Sequence, residues 1–169
     1  APGLAVRRRF FFGTSPAMTL YVSDLDGTLL DPQARLSDIT RAGLTRMLAE
    51  GLSFTVASAR NVVSIREILG DLPLRLPVIS SNGAYISDMA TGRYELVQTI
   101  DPDLAQAIFQ MIRRHGLMPF ASTHGPKGDQ VFYQAIENHG QRQFIEERVR
   151  NADPRLRHTE RLQDELLDP

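Results

Sequence analysis

The sequence predicts an α/β fold, in which a parallel β-sheet with helical connections is followed by a smaller α+β layer. Two observations support this prediction. A short apolar run at 20–23, which predicts a buried strand, is followed by an amphipathic helical pattern and then by a second apolar run of the same kind at 52–57. This β–α–β order implies two parallel strands joined by a right-handed crossover. After residue 100 the pattern becomes helix, strand, strand, helix, which is typical of a small α+β unit.

The composition is that of an ordinary soluble domain. The chain has 169 residues, a formal net charge of −1 and no cysteine. A charge so close to zero gives no strong attraction to nucleic acid or to a membrane surface. A chain without cysteine forms no disulfides and no thiolate metal site, and no apolar run is long enough to span a bilayer. These features fit a cytoplasmic protein and leave its oligomeric state open.

The first 17 residues differ from the rest of the chain. Three arginines at 7–9 precede three phenylalanines at 10–12, and the apolar stretch is too short and too broken for a typical signal peptide. We interpret Met18 as the natural start and 1–17 as a disordered or non-native extension. A solvated tail is favoured over an anion-binding role for the arginines.

Two carboxylates, Asp24 and Asp26, follow the first apolar run. Gly27 permits backbone angles closed to other residues, so we expect the chain to leave the sheet there. Open α/β sheets bind their ligands at the carboxyl ends of strands. Two neighbouring carboxylates need a cation or a shared proton, and magnesium with a phosphate suits such a site. The alternative is an ordinary turn, because Asp-Gly is a common turn signal.

Residues 24–29, Asp-Leu-Asp-Gly-Thr-Leu, resemble the first motif of the haloacid dehalogenase-like superfamily. The resemblance implies that Asp24 is a nucleophile that becomes an aspartyl-phosphate, and that Asp26 is the general acid and base. It also implies a Mg²⁺ cofactor on Asp24 and on the backbone carbonyl of Asp26. Gly27 and Thr28 would shape the turn and offer donors to the phosphoryl group. Covalent catalysis of this kind splits one difficult step into two easier ones.

A helix is predicted between the two apolar runs. Ser37 is a suitable N-cap and Gly51 a suitable C-terminal stop. Ile39, Leu44 and Leu48 give this helix an apolar face. The segment therefore provides the crossover between the first two strands.

The second strand ends in Ala-Ser-Ala-Arg at 57–60, and apolar residues at helical spacing follow. Backbone amides at a helix start favour anions, so Ser58 is placed to donate to a phosphoryl oxygen. The alternative is that Ser58 only caps the helix and Arg60 is a solvated surface charge. The position of Ser58 resembles the second motif of the same superfamily. Residues 54–60 also resemble its Cof-type branch, with Ala59 where glycine is usual, which implies that Arg60 contacts the substrate or the cap.

A third strand at 77–80 is predicted to lead into hairpins. Asn82-Gly83 turns the chain before 84–87, and a Gly-bearing turn precedes 94–100. The run Ser-Asn-Gly-Ala at 81–84 resembles the Cof-type pattern, in which the Asn lies beside the active site. Asn82 is therefore a candidate site residue, and a plain turn residue is the equal alternative.

The second half reads as a small α+β unit. The predicted elements are a helix from Asp101 to Gly116, strands at 117–122 and 130–136, a loop at 123–129, a helix that ends at Arg150, and a polar tail at 151–169. His124 and Lys127 fall in the loop, where an exposed loop is favoured over a role in substrate selection. The histidines show no metal-ligand spacing.

The resemblance covers roughly residues 19–150. Family members return from the cap to the core and there supply a lysine and a further acidic pair, and we find neither motif in this chain. Its one lysine is Lys127. We interpret 18–100 as the first part of a Rossmann-like core with its linker hairpin, and 101–169 as a partial α+β cap. A truncated chain of this kind would expose a sheet edge beside the first strand.

The resemblance implies a magnesium-dependent phosphatase of small phosphorylated metabolites, with sugar phosphates as the favoured class. We expect a truncated chain to be inactive or weakly active alone. Two alternatives stay open: a phosphosugar mutase of the same superfamily, and a catalytically silent phosphate-binding or interaction module.

Overall fold

The computed structural model describes residues 19–167, which have a mixed α/β architecture. The chain divides into two compact units between Gln98 and Thr99. The predicted α/β class is confirmed, and the first two strands pair in parallel. The extension predicted at 1–17 and the start at Met18 lie outside the described residues. Within the described chain, no helix combines the length and the apolar character that crossing a membrane requires.

In the first unit, strands and helices alternate before the chain enters an antiparallel sheet. Its elements are β1 (Tyr21–Ser23), α1 (Asp38–Ala49), β2 (Phe54–Val56), α2 (Val62–Leu69), β3 (Val78–Ser80), β4 (Tyr85–Ser87) and β5 (Tyr94–Val97). β1 pairs in parallel with β2, and β3, β4 and β5 form an antiparallel sheet in that order. A parallel bridge between Ala57 and Ile79 joins β2 to the first strand of that sheet. The carboxyl ends of β1, β2 and β3 therefore lie side by side.

The core of the first unit is formed by the two helices, the strands β2 and β3 and the turn after β1. Its most deeply buried apolar residues are Leu25, Val56, Ile65, Leu69 and Val78. All three residues of β2 are buried, as expected for an inner parallel strand. The prediction that the first apolar run is a buried strand is wrong, because Leu20 is 52%, Tyr21 53% and Val22 49% exposed. In the described sheet β1 pairs with β2 alone, so it is an edge strand.

The second unit combines two helices with a three-stranded sheet. Its elements are α3 (Pro102–Arg114), β6 (Ala121–Gly125), β7 (Gly128–Tyr133), α4 (His139–Arg150), β8 (Leu156–His158) and a 3₁₀ turn (Asp164–Leu166). β6 and β7 pair antiparallel, and β8 joins the other side of β7 in parallel. Asp101 caps α3 and Pro102 occupies its first turn, as the sequence predicts.

The predicted loop at 123–129 is wrong, because these residues form a tight hairpin. Gly125 pairs with Gly128, which leaves two residues at the turn, and Gly128 has a left-handed φ of 82°. The turn residues Pro126 and Lys127 are not left-handed, and a left-handed glycine directly after them is typical of hairpins built on a type I turn, because glycine adopts this conformation without steric cost. His124 is therefore a strand residue, and its Nδ1 lies 2.8 Å from Oδ1 of Asp129 on the paired strand.

The segment that follows α4 is more ordered than its polar composition predicts. It contributes β8, and Leu162 is completely buried among Phe109, Met118 and Ala121. The sequence gives little sign of this, since a three-residue strand and a single buried leucine set up no periodic pattern.

Candidate active site

The Asp-Leu-Asp-Gly-Thr-Leu turn is anchored by its central leucine. Leu25 is completely buried, whereas Asp24 and Asp26 on either side of it are exposed. The N–H of Leu30 donates to the carbonyl of Leu25 at 2.9 Å and closes the turn. Gly27 has a φ of 75°, the left-handed conformation that lets the chain leave the strand. The turn therefore presents two acids to solvent at the carboxyl end of β1.

The two acids have different partners. Asp26 accepts two hydrogen bonds from Arg60, from Nε at 2.7 Å and from Nη2 at 2.8 Å. These hydrogen bonds hold the pKa of Asp26 below its usual value; partial burial opposes the shift, and the charge of Arg60 adds to it. The Asp24 carboxylate accepts from the N–H of Leu25 at 2.7 Å. Among residues 19–167 it forms no salt bridge, so its charge remains available to a cation or to an electrophile.

Ser58 lies in the turn between β2 and α2. Only 6% of the residue is exposed, and its hydroxyl accepts from the N–H of Arg60 at 3.2 Å. Asn61 caps α2 instead, because its side chain accepts from the N–H of Ser64 at 3.0 Å. The alternative in which Ser58 merely caps the helix is therefore wrong.

The alternative in which Arg60 is a solvated surface charge is also wrong. Its side chain is 28% exposed, it binds Asp26 through two nitrogens, and its Nη1 donates to the Ser64 hydroxyl at 3.1 Å. Ser64 is not among the site residues predicted from the sequence. Its only local signal is its position four residues after Arg60, one turn of helix later.

Backbone hydrogen bonds join the three strand ends. The N–H of Ala57 donates to Ser23 and the N–H of Ser58 donates to Ile79, both at 2.9 Å. The N–H of Asn82 in turn donates to the carbonyl of Ser58 at 3.1 Å. The structure thus brings the turns that carry the predicted site residues to one edge of the sheet. Gly27 and Thr28 lie in the first of these turns and are exposed.

Magnesium takes oxygen ligands and keeps several of its waters. The exposed Asp24 carboxylate and the Asp26 carbonyl are donors of this kind. In the described part of the chain, no cluster of three His, Asp or Glu side chains is placed to hold a metal. The residues present therefore fit two positions in the shell of a magnesium ion and leave the others to water or substrate.

The sequence matches the model of the haloacid dehalogenase-like hydrolases over residues 21–167. The chain belongs to this family. The resemblance seen in the first motif is thereby confirmed, and the match extends through both units of the structure. Within a haloacid dehalogenase-like hydrolase, the edge formed by the ends of β1, β2 and β3 is the candidate active site.

Three similar proteins illustrate the relationship. HMP-PP phosphatase of Enterobacter sp. (strain 638) is 38% identical over 85 residues, which cover 50% of this chain and 31% of the phosphatase. A haloacid dehalogenase-like hydrolase from B. subtilis superposes with a TM-score of 0.63 at 22% identity, over 89% of this chain and 57% of the other. The HAD subclass IIB sugar phosphatase BT4131 gives a TM-score of 0.63 at 18% identity, over 89% and 55%.

These similarities establish a shared fold between this chain and the two solved structures. The chain spans less than a third of the length of the Enterobacter phosphatase and just over half the length of the two structures. Each of these names therefore belongs to a protein of which this chain matches only a part.

Proposed function

We propose that the chain carries the nucleophile and the acid/base of a magnesium-dependent phosphatase that acts on small phosphorylated metabolites, with sugar phosphates as the favoured class. One observation carries the proposal. At the same strand end, Asp26 is held by a guanidinium while Asp24 is exposed and forms no salt bridge within the described chain. The names of the similar phosphatases support the same reaction class.

The reaction proceeds in two displacements at phosphorus. A carboxylate oxygen of Asp24 attacks the phosphorus, and the bond from phosphorus to the alcohol oxygen breaks as Asp26 gives that oxygen a proton. Water then attacks the aspartyl-phosphate, and the Asp26 carboxylate takes a proton from this water. The bond from phosphorus to Asp24 breaks, so phosphate leaves and both side chains return to their initial states.

Arg60 links substrate binding to the first proton transfer. Its bidentate contact favours the ionised form of Asp26, which is the form that accepts a proton from water in the second step. A phosphoryl group offers the same fork of two oxygens to a guanidinium. An incoming substrate that binds Arg60 releases Asp26 from this pair, and the Asp26 carboxylate then takes up from solvent the proton that it passes to the leaving alcohol.

Ser58 and the first turn position the phosphoryl group. The Ser58 hydroxyl lies at the start of the turn into α2 and is suited to donate to a phosphoryl oxygen, as are the backbone N–H groups of Gly27 and Thr28. Magnesium held by Asp24 and the Asp26 carbonyl would neutralise charge between the carboxylate and the anionic substrate. Since no salt bridge to Asp24 is present in the described chain, we expect turnover to depend strictly on the metal.

The test is magnesium-dependent hydrolysis of an aryl phosphate by this chain and by its Asp24→Asn variant. We expect the variant to lose about a thousandfold or more in rate, as nucleophile removal does elsewhere. Asp38→Asn is the matched control, since Asp38 is another exposed acid of the first unit, and this variant should retain the wild-type rate.

Two outcomes would count against the proposal. Equal rates in the wild type and Asp24→Asn would remove Asp24 as the nucleophile. No metal-dependent turnover by the wild-type chain would fit the inactive truncated chain expected from the sequence and would favour the silent phosphate-binding module for this chain alone. With a sugar monophosphate as substrate, release of free phosphate supports the phosphatase, whereas an isomeric sugar phosphate would assign a mutase.

A further inference from the structure

The turn after β3 contains three successive residues in the left-handed conformation. Ser81, Asn82 and Gly83 have φ values of 50°, 57° and 91°. In residues 19–167, the only other non-glycine residues with positive φ are Ala34 and Ala152. Side chains disfavour this region, and such strain persists only where the surrounding structure enforces it. Two adjacent strained residues at the edge of the candidate site therefore need an explanation.

The hairpin on either side holds the turn in place. Ser80 and Ser87 are completely buried, and their hydroxyl oxygens lie 2.9 Å apart across β3 and β4. Beyond the turn, the rings of Tyr85 and Tyr94 stack with their centroids 4.2 Å apart. These contacts fix both ends of the turn, so that it cannot relax without disturbing a buried pair of hydroxyls.

The turn at 81–83 is hydrogen-bonded through its backbone to the turn at 58–60. The N–H of Ser81 donates to the carbonyl of Arg60 at 2.8 Å, and the N–H of Asn82 donates to the carbonyl of Ser58 at 3.1 Å. In the opposite direction, the N–H of Ser58 donates to Ile79 at 2.9 Å. The residues from Ser58 to Arg60 are therefore held at three points, and both turn contacts are made by residues in the left-handed conformation.

We infer that Ser81 and Asn82 are positioning residues that act through their main chain: their left-handed turn fixes Ser58 and Arg60, and thereby aims the Arg60 guanidinium at Asp26. The catalytic meaning of this arrangement rests on the proposed phosphatase function. The inference gives Asn82 a backbone role, in contrast to a side chain that contacts substrate. The two roles predict opposite responses to glycine, which keeps the backbone conformation and removes the side chain.

The experiment compares glycine and valine at the two positions. Glycine adopts positive φ freely, whereas valine is strongly disfavoured there. Ala34 offers a matched control, because its φ of 58° is similar and it lies in the first unit. The readout is NMR of the isotopically labelled chain, in which hydrogen exchange of the Arg60 Nε–H reports the hydrogen bond to Asp26. Amide exchange at positions 81 and 82 reports the hydrogen bonds that these two N–H groups donate to the carbonyls of Arg60 and Ser58.

We expect Asn82→Gly and Ser81→Gly to keep the Arg60 Nε–H exchange rate within about threefold of the wild type, while Asn82→Val and Ser81→Val raise it about tenfold or more. Ala34→Val should lower the Tm without changing the exchange rate of the Arg60 Nε–H. If a valine variant fails to fold, the milder Asn82→Ala should give intermediate exchange.

Two results would overturn the inference. If the Arg60 Nε–H exchanged as fast in Asn82→Gly as in Asn82→Val, the role would belong to the Asn82 side chain. If Ala34→Val raised the Arg60 Nε–H exchange rate as much as the valine variants at 81 and 82, the effect would be one of general destabilisation. The exchange measurement involves no turnover. A failure of the phosphatase proposal in the Asp24→Asn experiment would therefore not change the exchange rates, and the two proposals can fail independently.

Discussion

Arg60 binds Asp26 through two parallel hydrogen bonds, at 2.7 and 2.8 Å, although the two residues are 34 positions apart in the sequence. The pair connects the turn after β1 to the turn before α2. The guanidinium side chain is 28% exposed and the carboxylate side chain 51% exposed, so solvent screens the interaction. Exposed pairs of this kind contribute about 1 kcal/mol or less to folding. The geometry of the pair therefore matters more to the site than to the stability of the fold.

Arg60→Gln is predicted to impair catalysis more than folding. The variant loses both the contact to Asp26 and the fork offered to the phosphoryl group. We expect kcat/KM for an aryl phosphate to fall by about a hundredfold, with a change in the free energy of unfolding of about 1 kcal/mol or less. Arg60→Lys should recover only part of the rate, because an ammonium lacks the planar fork. Steady-state kinetics and urea unfolding measure the two effects.

Arg35→Gln is the control for this prediction. Arg35 also binds an aspartate of the first unit, with its Nε 3.3 Å from Oδ2 of Asp31, but it lies outside the site. Its loss should leave kcat and KM unchanged. A full rate in Arg60→Gln, or an equal loss in Arg35→Gln, would contradict the role given to Arg60.

Ser58→Ala is predicted to lower kcat/KM by about ten- to a hundredfold, since one donor to the phosphoryl group is removed. The loss of its hydrogen bond to the N–H of Arg60 should cost about 1 kcal/mol of stability. Ser58→Thr keeps the hydroxyl and should retain most of the rate. Ser37→Ala, which removes the cap of α1, should cost a similar amount of stability without lowering kcat. If both alanine variants reduced the rate equally, the effect would be one of folding.

The first motif could be predicted from the sequence because its signals are local. An apolar run, a buried Leu25 between two acids and Gly27 determine the end of the strand and the direction of the turn. The pairing of Arg60 with Asp26 could not be predicted, because it depends on the register of strands that are distant in sequence. Asp26 was assigned through the family motif, whereas the partner that holds it became visible only in the structure.

The backbone role of Ser81 was missed for a different physical reason. Serine carries no propensity for positive φ, and the strain at Ser81 is imposed by the buried Ser80–Ser87 pair and the adjoining strands. The sequence predicts a loop in place of the hairpin at Gly125–Gly128, because a Pro-Lys pair is an unusual two-residue turn. In both places tertiary pairing overrides the local preference of the sequence.

Acid is predicted to destabilise the second unit through Asp153. This carboxylate accepts hydrogen bonds from Arg155 Nε at 2.8 Å and Nη2 at 2.6 Å, and its side chain is 11% exposed. The hydrogen bonds from Arg155 lower the pKa of Asp153 below its ordinary value of 3.8, against the opposing effect of burial. Since the folded pKa is the lower one, the stabilisation is complete above the unfolded pKa and is lost as the pH falls through the folded value.

The measurement for Asp153 is Tm by circular dichroism between pH 7 and about pH 2.5. At pH 7, Asp153→Asn should lower the free energy of unfolding by about 1–3 kcal/mol and should lower the Tm accordingly. Below about pH 4, the Tm of the variant should fall less steeply with pH than that of the wild type. Glu160→Gln removes an exposed acid of the same unit and should keep the wild-type slope. Parallel slopes in wild type and Asp153→Asn would mean that other carboxylates cause the acid sensitivity.

Leu162 is predicted to be essential to the fold of the second unit. It is completely buried against Phe109 and Met118, and its N–H donates to Oε1 of Gln134 at 2.9 Å. Leu162→Ala should lower the free energy of unfolding by about 2–5 kcal/mol, through lost burial and the cavity left behind. Urea unfolding followed by far-UV circular dichroism measures this loss, since the chain has no tryptophan.

Leu167→Ala is the matched control, because this leucine is 56% exposed. Its effect should stay within about 0.5 kcal/mol. A large difference between the two variants means that the chain after α4 packs into the core of the second unit in solution. Equal and small effects would mean that this segment is not docked there, and the polar tail expected from the sequence would then describe it correctly.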